Sequence, residues 1–393
     1  MLFYSRYLSD DPEDLTTELT MMQAYMVHCS GKAIHRKPYL YELPATMTYA
    51  QLRTALYRAI SSHASLQVWL KYERKLARYV QYLVPLPPLS EWQIPVVALS
   101  MHPEMHIITQ EHSVLLLEGY PWRVKFMEFE GKRYLYLEFH SICIDDYGIK
   151  CFEDTLFRAF SSGYQLPAGN LSSYRLLHNM EIITSKQRLE RRESESLSTG
   201  KKRSMKMMAI PFELTQEQVA LVEQVAHSYQ IDLPVVYQLI VEHMLGYRCE
   251  GKLYGMIDNW RSTLRNYDEV GCFYYMNAEA VQGLGTMRSR LMALQHQRQK
   301  RKEGDFAGRR KRPDLSVVYS FEESLCQHLQ EVFADQYCTY EMFIRIRRGQ
   351  AGTTVRFEYS VEHCSKEQAQ QLYFRMISII ELLRQQLLAD CAS

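Results

Sequence analysis

The stretch "KRYLYLEFHSICIDDYG", residues 132–148, presents a histidine, a serine and two aspartates directly after a run of alternating apolar side chains. Alternation with a period of two predicts a strand. A second alternating run, "PWRVKFMEF" at 121–129, precedes it, and the residues "EGK" between the two runs predict a hairpin. The polar residues that follow this hairpin are the first candidate site of the chain.

Helices and strands alternate along both halves of the chain. Apolar residues at helical spacing predict helices at 16–30, 48–66, 149–163, 215–231, 233–245 and 365–387, with Gly163 ending the third of them. Short alternating or β-branched runs predict further strands at 35–45, 67–73, 252–260, 271–281, 315–323, 340–349 and 353–361. Interleaving of this kind predicts a mixed α/β protein.

The chain has 393 residues, which exceeds the usual size of a single hydrophobic core. A charged, serine-rich segment at 185–204 has the composition of a linker. We therefore expect an N-terminal lobe at 1–170 that carries the polar cluster, a linker at 171–204, and a C-terminal lobe at 205–393.

Composition argues against several classes of function. The 46 Lys and Arg residues balance 45 Asp and Glu residues, so neither nucleic acid nor an anionic membrane is an expected partner. No apolar run reaches the roughly 18 residues of a membrane span, and the acidic N-terminus resembles no targeting signal. The nine cysteines are scattered without a CxxC pair, as expected in a reducing compartment. We expect a cytoplasmic protein without a bound metal.

Several segments, in the same order and with similar spacing, resemble the condensation domain of nonribosomal peptide synthetases, part of the chloramphenicol acetyltransferase superfamily. "LTMMQAYM" at 19–26 matches a family helix that carries a glutamine, and "LRTALYRAISSHASLQVWL" at 52–70 is similar to the segment L..AL..L..RH..LR..F. "LEFHSICIDDYG" at 137–148 lies where the family has HHxxxDG. "YGMIDNWRSTLRNYDEVGCFYYMNAEAV" at 254–281 resembles the block G.p..gR......vG.F.Nt.p. The resemblance covers nearly the whole chain.

This resemblance implies a V-shaped pseudo-dimer of two chloramphenicol-acetyltransferase-like lobes with a central tunnel. In the family, carrier proteins dock at the two mouths and deliver substrates on phosphopantetheine arms, and an acceptor amine or hydroxyl attacks the donor thioester. The implied partner is thus an acyl or peptidyl carrier protein in trans, with another biosynthetic enzyme as a second candidate. No cofactor bound by the chain itself is expected.

The motif positions of this chain depart from the family pattern. With the motif aspartate set on Asp145, the first histidine is His140, the second is Ser141 and the glycine is Asp146. The family assigns acyl transfer to the second histidine, and a serine hydroxyl lacks the near-neutral pKa that makes imidazole a useful base. Asp146 adds a side chain and a charge where the family has glycine. Family-type histidine catalysis is therefore expected to be lost.

The resemblance also implies roles for residues outside the motif. Asp145 is expected to form an ion pair with Arg261 across the lobe junction, because an unpaired buried carboxylate is costly. Gly271, Phe273 and Asn277 match the second-half block and are expected to line the tunnel or the junction.

Two interpretations of His140 stay open at this point. The first is a buried structural histidine, as in the family. In the second, a local bulge turns His140 into the catalytic direction, because neighbouring residues on a strand otherwise face opposite sides. If the strand continues, Cys143 shares the face of Ser141, where a small core residue is favoured over a nucleophile.

The segment "RQKRKEGDFAGRRKR" at 298–312 is strongly basic. It would suit docking of an acidic carrier protein, and the simpler interpretation is a solvated flexible loop.

Three functions compete. The leading hypothesis is a binding module that keeps the lobes and tunnel, holds carrier-tethered acyl or aminoacyl groups and acts in recruitment or as a scaffold. The first alternative is an active, freestanding acyltransferase that forms an amide or an ester by positioning or with His140. The second is a tunnel repurposed for another reaction on a tethered intermediate.

Overall fold

A computed structural model describes residues 16–29, 36–74, 78–109, 119–160, 176–177, 179, 205–249, 253–264, 267–280, 286–302, 315–323, 326–332, 336–338, 340–349 and 352–392. The described helices are α1 Met21–Cys29, α2 Tyr49–Ser61, α3 Pro103–Thr109, α4 Asp146–Arg158, α5 Gln216–Tyr229, α6 Leu233–Cys249, α7 Arg261–Leu264, α8 Met287–Lys302 and α9 Lys366–Ala392, with a 3₁₀ helix at Ala64–Gln67. The described strands are β1 Thr16–Glu18, β2 Arg36–Glu42, β3 Val68–Glu73, β4 Arg78–Leu83, β5 Val96–Ala98, β6 Trp122–Phe129, β7 Lys132–His140, β8 Met205–Glu213, β9 Leu253–Asn259, β10 Tyr274–Ala280, β11 Val317–Glu323, β12 Gln330–Glu331, β13 Gln336–Cys338, β14 Met342–Gly349 and β15 Gly352–Ser360.

The mixed α/β class predicted from the sequence is confirmed. The predicted hairpin is also present: β6 and β7 pair antiparallel from Phe129 opposite Lys132, and Glu130 and Gly131 both adopt positive φ in the connecting turn. This backbone geometry matches the twist of the two strands and favours glycine. The helix predicted at 149–163 begins earlier, at Asp146, and its expected end at Gly163 lies outside the described residues.

The starts of α2 and α5 follow from local sequence. Thr48 caps α2 and Thr215 caps α5, and in each case a glutamine three residues later, Gln51 or Gln218, returns a hydrogen bond to the cap backbone. Such reciprocal capping satisfies amide groups that the first helical turn leaves without a partner.

The chain divides into two compact units, each built from separate segments. The first unit contains Met1–Ile183, Leu264–Phe273 and Leu325–Tyr337, and the second contains Thr184–Thr263, Tyr274–Ser324 and Cys338–Ser393. Two stretches from the second half of the chain thus belong to the first unit. The expected lobes at 1–170 and 205–393 did not include this crossing. Of the linker expected at 171–204, only residues 176, 177 and 179 are described.

The first unit contains a five-stranded sheet with the order β12-β2-β7-β6-β5 and a small sheet with the order β1-β4-β3. Strand β7 lies at the centre of the larger sheet, antiparallel to both β2 and β6. Helices α2 and α4 pack against each other, and Phe139 of β7 contacts Phe152 of α4 with ring centroids 5.2 Å apart. The end of β7 therefore lies beside the start of α4, where the polar cluster is found.

Six strands of the second unit follow the order β10-β9-β11-β14-β15-β8. β11 runs parallel to β9 and β14, and the other neighbouring pairs are antiparallel. One sheet face packs with α5, α6, α8 and α9 in a continuous apolar core. Full burial of each large aliphatic or aromatic side chain there contributes about 2 kcal/mol.

None of the helices in the described parts of the chain combines the length and apolar character needed to cross a bilayer. Within the same residues, no group of His, Cys, Asp and Glu side chains has an arrangement that could hold a metal ion.

Candidate functional site

The candidate site begins where β7 ends. His140 is the last residue of β7, and residues 141–143 form a turn in which the Cys143 N–H donates to the His140 carbonyl at 3.1 Å. The strand does not continue through Ser141, so the expectation that Ser141 and Cys143 share a strand face is wrong. Both side chains are buried at this turn.

The hydrogen bonds of His140 define its tautomer. His140 is buried, and its Nδ1 accepts a hydrogen bond from the Ile142 N–H at 3.0 Å. A neutral imidazole whose Nδ1 is an acceptor carries its proton on Nε2. His140 in this state can donate from Nε2, but its one basic lone pair is already used by the backbone.

A pair of buried glutamines fixes the same turn. Gln23 of α1 donates from Nε2 to the Ile142 carbonyl at 2.8 Å. The side-chain amides of Gln23 and Gln81 also bond each other at 3.2 and 3.1 Å, and Gln23 Oε1 accepts from the Thr20 N–H at 3.0 Å. The sequence singled out the glutamine of this helix only through the family resemblance, and it gave no signal for Gln81.

Asp145 braces the start of α4. It caps the helix, with Oδ1 accepting from the Gly148 N–H at 2.6 Å and Oδ2 accepting from the Phe273 N–H at 3.2 Å. Its own N–H donates to the Gly271 carbonyl at 2.8 Å. Both carboxylate oxygens and the backbone of Asp145 thereby hold the segment 264–273 against the motif within the first unit.

Close backbone approach at the motif occurs at Gly148. A Cβ at this position would lie 3.0 Å from Ile144 Cγ1, 3.1 Å from Asp145 Oδ1 and 3.2 Å from the Gly271 backbone nitrogen. These contacts are tight enough that a larger side chain would push against the bound segment. A close backbone approach that only glycine accommodates well is thus found at Gly148, two residues after Asp146.

Asp146 has a charged partner that the sequence analysis missed. Lys37 of β2 forms an ion pair with Asp146, and the two side chains are only 5% and 12% exposed. Asp146 is also the first residue of α4, where the helix dipole favours a negative charge. The negative charge that Asp146 adds where the family has glycine is therefore compensated inside the first unit.

A second buried ionic group lies on the His140 face of β7. Arg36 of β2 lies opposite His140 and holds Glu138 through two hydrogen bonds, Nε to Oε1 at 3.0 Å and Nη2 to Oε2 at 2.7 Å. Tyr136 donates its hydroxyl proton to the same carboxylate, and burial together with Glu138 raises the pKa of Tyr136. Charged residues at inward positions of otherwise apolar strands were the available signal for this group.

Cys143 is a core thiol. Its Sγ is fully buried and donates to the carbonyl of His140 at 3.1 Å. Burial, followed by the neighbouring Cys272, raises the pKa of Cys143, so the nucleophilic thiolate is disfavoured at neutral pH.

The other predicted site residues are distributed over both units. Gly271 and Phe273 are buried in the first unit, and Asn277 is buried in β10 of the second unit, opposite Met256. Arg261 is also buried in the second unit and begins α7. The Asp145–Arg261 ion pair and the tunnel-lining roles stay predictions.

The basic segment is not a loop over its first part. Residues 298–302 are the last turn of α8, and Arg298 donates to Asp258 at 2.8 Å and to Asp232 at 3.2 Å. Lys302 pairs with Asp232 at 2.6 Å. The interpretation of residues 298–302 as a solvated loop is wrong, because they are helical and carboxylates of the same unit hold Arg298 and Lys302. Residues 303–312 lie outside the described residues.

The fold is similar to several solved domains of assembly-line synthetases. The epimerization domain from the third module of tyrocidine synthetase B superposes with a TM-score of 0.73 at 12% identity, over 94% of this chain and 98% of that chain. The condensation domain of the Monacolin K polyketide synthase MokA gives 0.71 at 9% identity, over 93% and 97% of the two chains. The X-domain from teicoplanin biosynthesis gives 0.69 at 14% identity, over 96% of both chains. No protein-family model and no curated protein sequence matches the chain.

These similarities assign the chain to a class of fold. It has the condensation-domain fold of nonribosomal peptide and polyketide synthetase systems, and the likeness extends over almost its full length.

Proposed function

We propose that this chain is a condensation-domain-like binding module that receives acyl or aminoacyl groups tethered to a carrier protein, without histidine-dependent acyl transfer. One observation carries the proposal: Nδ1 of His140 accepts a hydrogen bond from the Ile142 N–H at 3.0 Å. The family resemblance sets Ser141 at the position of the catalytic histidine. The motif therefore offers no imidazole lone pair for a substrate proton.

The chemistry of Ser141 supports the same conclusion. A serine hydroxyl is a poor proton acceptor near neutral pH, and as a nucleophile it needs an adjacent base. The acceptor nitrogen of the neighbouring His140 is already engaged. General acid–base catalysis raises a reaction rate by about a hundred- to ten-thousand-fold. Without it, any acyl transfer would rely on the proximity of the two substrates alone and would be slow.

The buried polar contacts around the motif favour a retained binding role over a site that has lost all function. Gln23, Asp145 and Lys37 each make defined contacts with the turn or the start of α4. Buried polar groups with satisfied partners rigidify a site. The expected partner is an acyl or peptidyl carrier protein with its phosphopantetheine arm, as implied by the order of the motifs.

The fold by itself leaves the reaction open, because a fold can host several functions. Its solved neighbours include a condensation domain, an epimerization domain and an X-domain. An active acyltransferase, or a tunnel acting on a tethered intermediate, is therefore the alternative that an experiment has to exclude.

The test uses a panel of acyl and peptidyl carrier proteins, each in its apo form and in its acyl-phosphopantetheine form. Calorimetric titration should show that the native chain binds the loaded carrier more tightly than the apo carrier, with Ser141→Ala binding equally well. Acyl transfer to an added amine should stay at the background rate with the native chain and with Ser141→Ala. Turnover that disappears in His140→Ala, or no binding of any loaded carrier, would overturn the proposal.

A further inference from the structure

Two buried arginines show how this protein binds carboxylates. Arg290 of α8 holds Glu242 with Nε to Oε2 at 2.8 Å and Nη2 to Oε1 at 2.6 Å. Arg36 uses the same Nε–Nη2 edge to hold Glu138 in the first unit. Two parallel N–H groups on this edge match two oxygens on one atom, as in a carboxylate or a phosphate.

Arg301, at the end of α8, is bound differently. It donates from Nη1 to Glu279 of β10, while its Nε and Nη2 have no hydrogen-bond acceptor among the residues that the structure describes. The Arg301 side chain is only 5% exposed. Three of the five guanidinium N–H groups thus have no acceptor within the described residues. A buried guanidinium in this state carries a desolvation cost, which an acceptor at this edge would offset.

A second donor lies beside the same carboxylate. Asn277 precedes Glu279 by two residues on β10, so both side chains lie on one face of the strand. Asn277 is 6% exposed, and its Nδ2 also has no acceptor within the described part of the chain. Two unmet donor groups, one from α8 and one from β10, thus adjoin Glu279.

We propose that the Nε–Nη2 edge of Arg301 and Nδ2 of Asn277 form an oxyanion-binding site of the second unit, which takes a carboxylate or phosphate group. The two parallel N–H groups of the Arg301 edge favour a carboxylate or phosphate over a carbonyl group, because a single oxygen accepts well from only one of them. The residues of this site all belong to the second unit, and the proposal does not depend on the proposed function.

Titration calorimetry with inorganic phosphate and with acetate tests the site, with chloride replacing each anion at constant ionic strength. We expect saturable binding of at least one of the two anions, with a Kd on the order of millimolar, since two or three charge-assisted hydrogen bonds are formed. The difference between the two anions identifies the preferred group. Binding of neither anion would overturn the proposal.

Arg301→Lys should weaken anion binding about tenfold or more, because lysine keeps the positive charge but lacks the two parallel N–H donors of the guanidinium. The matched control is Arg298→Lys on the same helix, whose guanidinium is already held by Asp232 and Asp258 and whose replacement should leave the anion Kd unchanged. Equal loss in both variants would contradict the assignment.

Glu279→Gln tests the site through a predicted gain of binding, which a misfolded protein would not show. Removal of the carboxylate that competes for Arg301 should tighten anion binding several-fold, since the guanidinium then has no negatively charged partner in this pair. Unchanged or weaker binding in a folded Glu279→Gln protein would count against the site. So would a crystal structure grown in phosphate that shows one water molecule at the Arg301 edge.

Discussion

At the scale of single residues, the site is defined by which atoms of His140 are already engaged. The family motif suggests a working histidine, but the hydrogen bond from Ile142 to Nδ1 assigns His140 a role in closing the turn after β7. Asp146, taken alone, resembles a disruptive replacement of glycine. Its pairing with Lys37 makes it one half of a buried contact.

His140→Asn and His140→Leu separate the acceptor role of the ring from its bulk. Asparagine places an oxygen near the position of Nδ1 and should retain the bond to the Ile142 N–H, whereas leucine leaves that buried N–H unmet. We expect leucine to lower the free energy of unfolding by about 1–3 kcal/mol more than asparagine does. Urea unfolding of the two variants measures the difference, and equal stabilities would contradict the role of Nδ1.

The Lys37–Asp146 pair should show strong coupling. Asp146→Gly restores the family residue but leaves a buried ammonium without this partner, so we expect a loss of about 3–5 kcal/mol. The double variant Lys37→Met with Asp146→Gly should recover most of that loss. Additive effects in this double-mutant cycle, measured by chemical unfolding, would show that the pair contributes little.

At the scale of elements, α4 connects the motif to the segments that join the first unit from later in the chain. Asp145, which caps α4, binds the segment 264–273 by accepting a hydrogen bond from the Phe273 N–H. Further along the helix, Glu153 accepts N–H groups from Gln327, His328 and Leu329, each at 2.7 Å. One helix thus holds both segments with side-chain carboxylates.

Glu153→Gln should loosen the segment 326–332. Oε1 of Glu153 accepts two of the hydrogen bonds and Oε2 accepts the third. A glutamine has one acceptor oxygen and no charge, so at least one of these N–H groups loses its acceptor and the others keep only an uncharged one. Hydrogen exchange followed by mass spectrometry should show faster exchange in 326–332. Exchange in β14, which belongs to the second unit, is the internal control, and a uniform increase in both would contradict a local effect.

The contact between His63 and α4 makes stability depend on pH. His63 lies after α2 and bonds Thr155 of α4 at 3.1 Å, and burial lowers the pKa of His63 to about 4. The unfolded state binds this proton more readily, so stability should fall as pH drops from about 6.5 towards about 4, by up to about 3 kcal/mol.

The control for this effect is His63→Gln, which does not titrate in that range. The difference in unfolding free energy between the native chain and His63→Gln should shrink or reverse between about pH 7 and about pH 5. A difference that stays constant with pH would contradict the buried, neutral state of His63.

Local signals predicted most of the helices and many of the strands, but they gave no indication of α3, α8, β4, β5 or β8. The hairpin of β6 and β7 followed from alternation and the residues between the two runs, and α5 followed from apolar residues at helical spacing. Lys37 and Asp146 are 109 positions apart, and no local pattern connects a lysine on an apolar strand with a distant aspartate. Pairings of this kind are set by packing of the whole unit, which a single sequence does not encode in any short window.

At the scale of the whole molecule, the order of the motifs was enough to recognise the fold. It did not predict which segments of the chain belong to each unit. The first unit takes in 264–273 and 325–337 because Asp145 and Glu153 hold those segments with hydrogen bonds. A linker assigned from composition gives no sign of such crossings. The V-shaped arrangement, the tunnel and the Asp145–Arg261 ion pair stay predictions.

A single-turnover assay shows whether His140 takes part in acyl transfer. An acyl-loaded carrier protein, the native chain and an amine acceptor are mixed, and the intact mass of the carrier is followed. We expect the carrier to lose its acyl group at the same slow rate with the native chain and with His140→Ala, equal to the rate of hydrolysis in buffer alone. Fast, acceptor-dependent loss of the acyl group with the native chain, abolished in a folded His140→Ala protein, would show that His140 acts on the substrate and that the proposed loss of histidine catalysis is wrong.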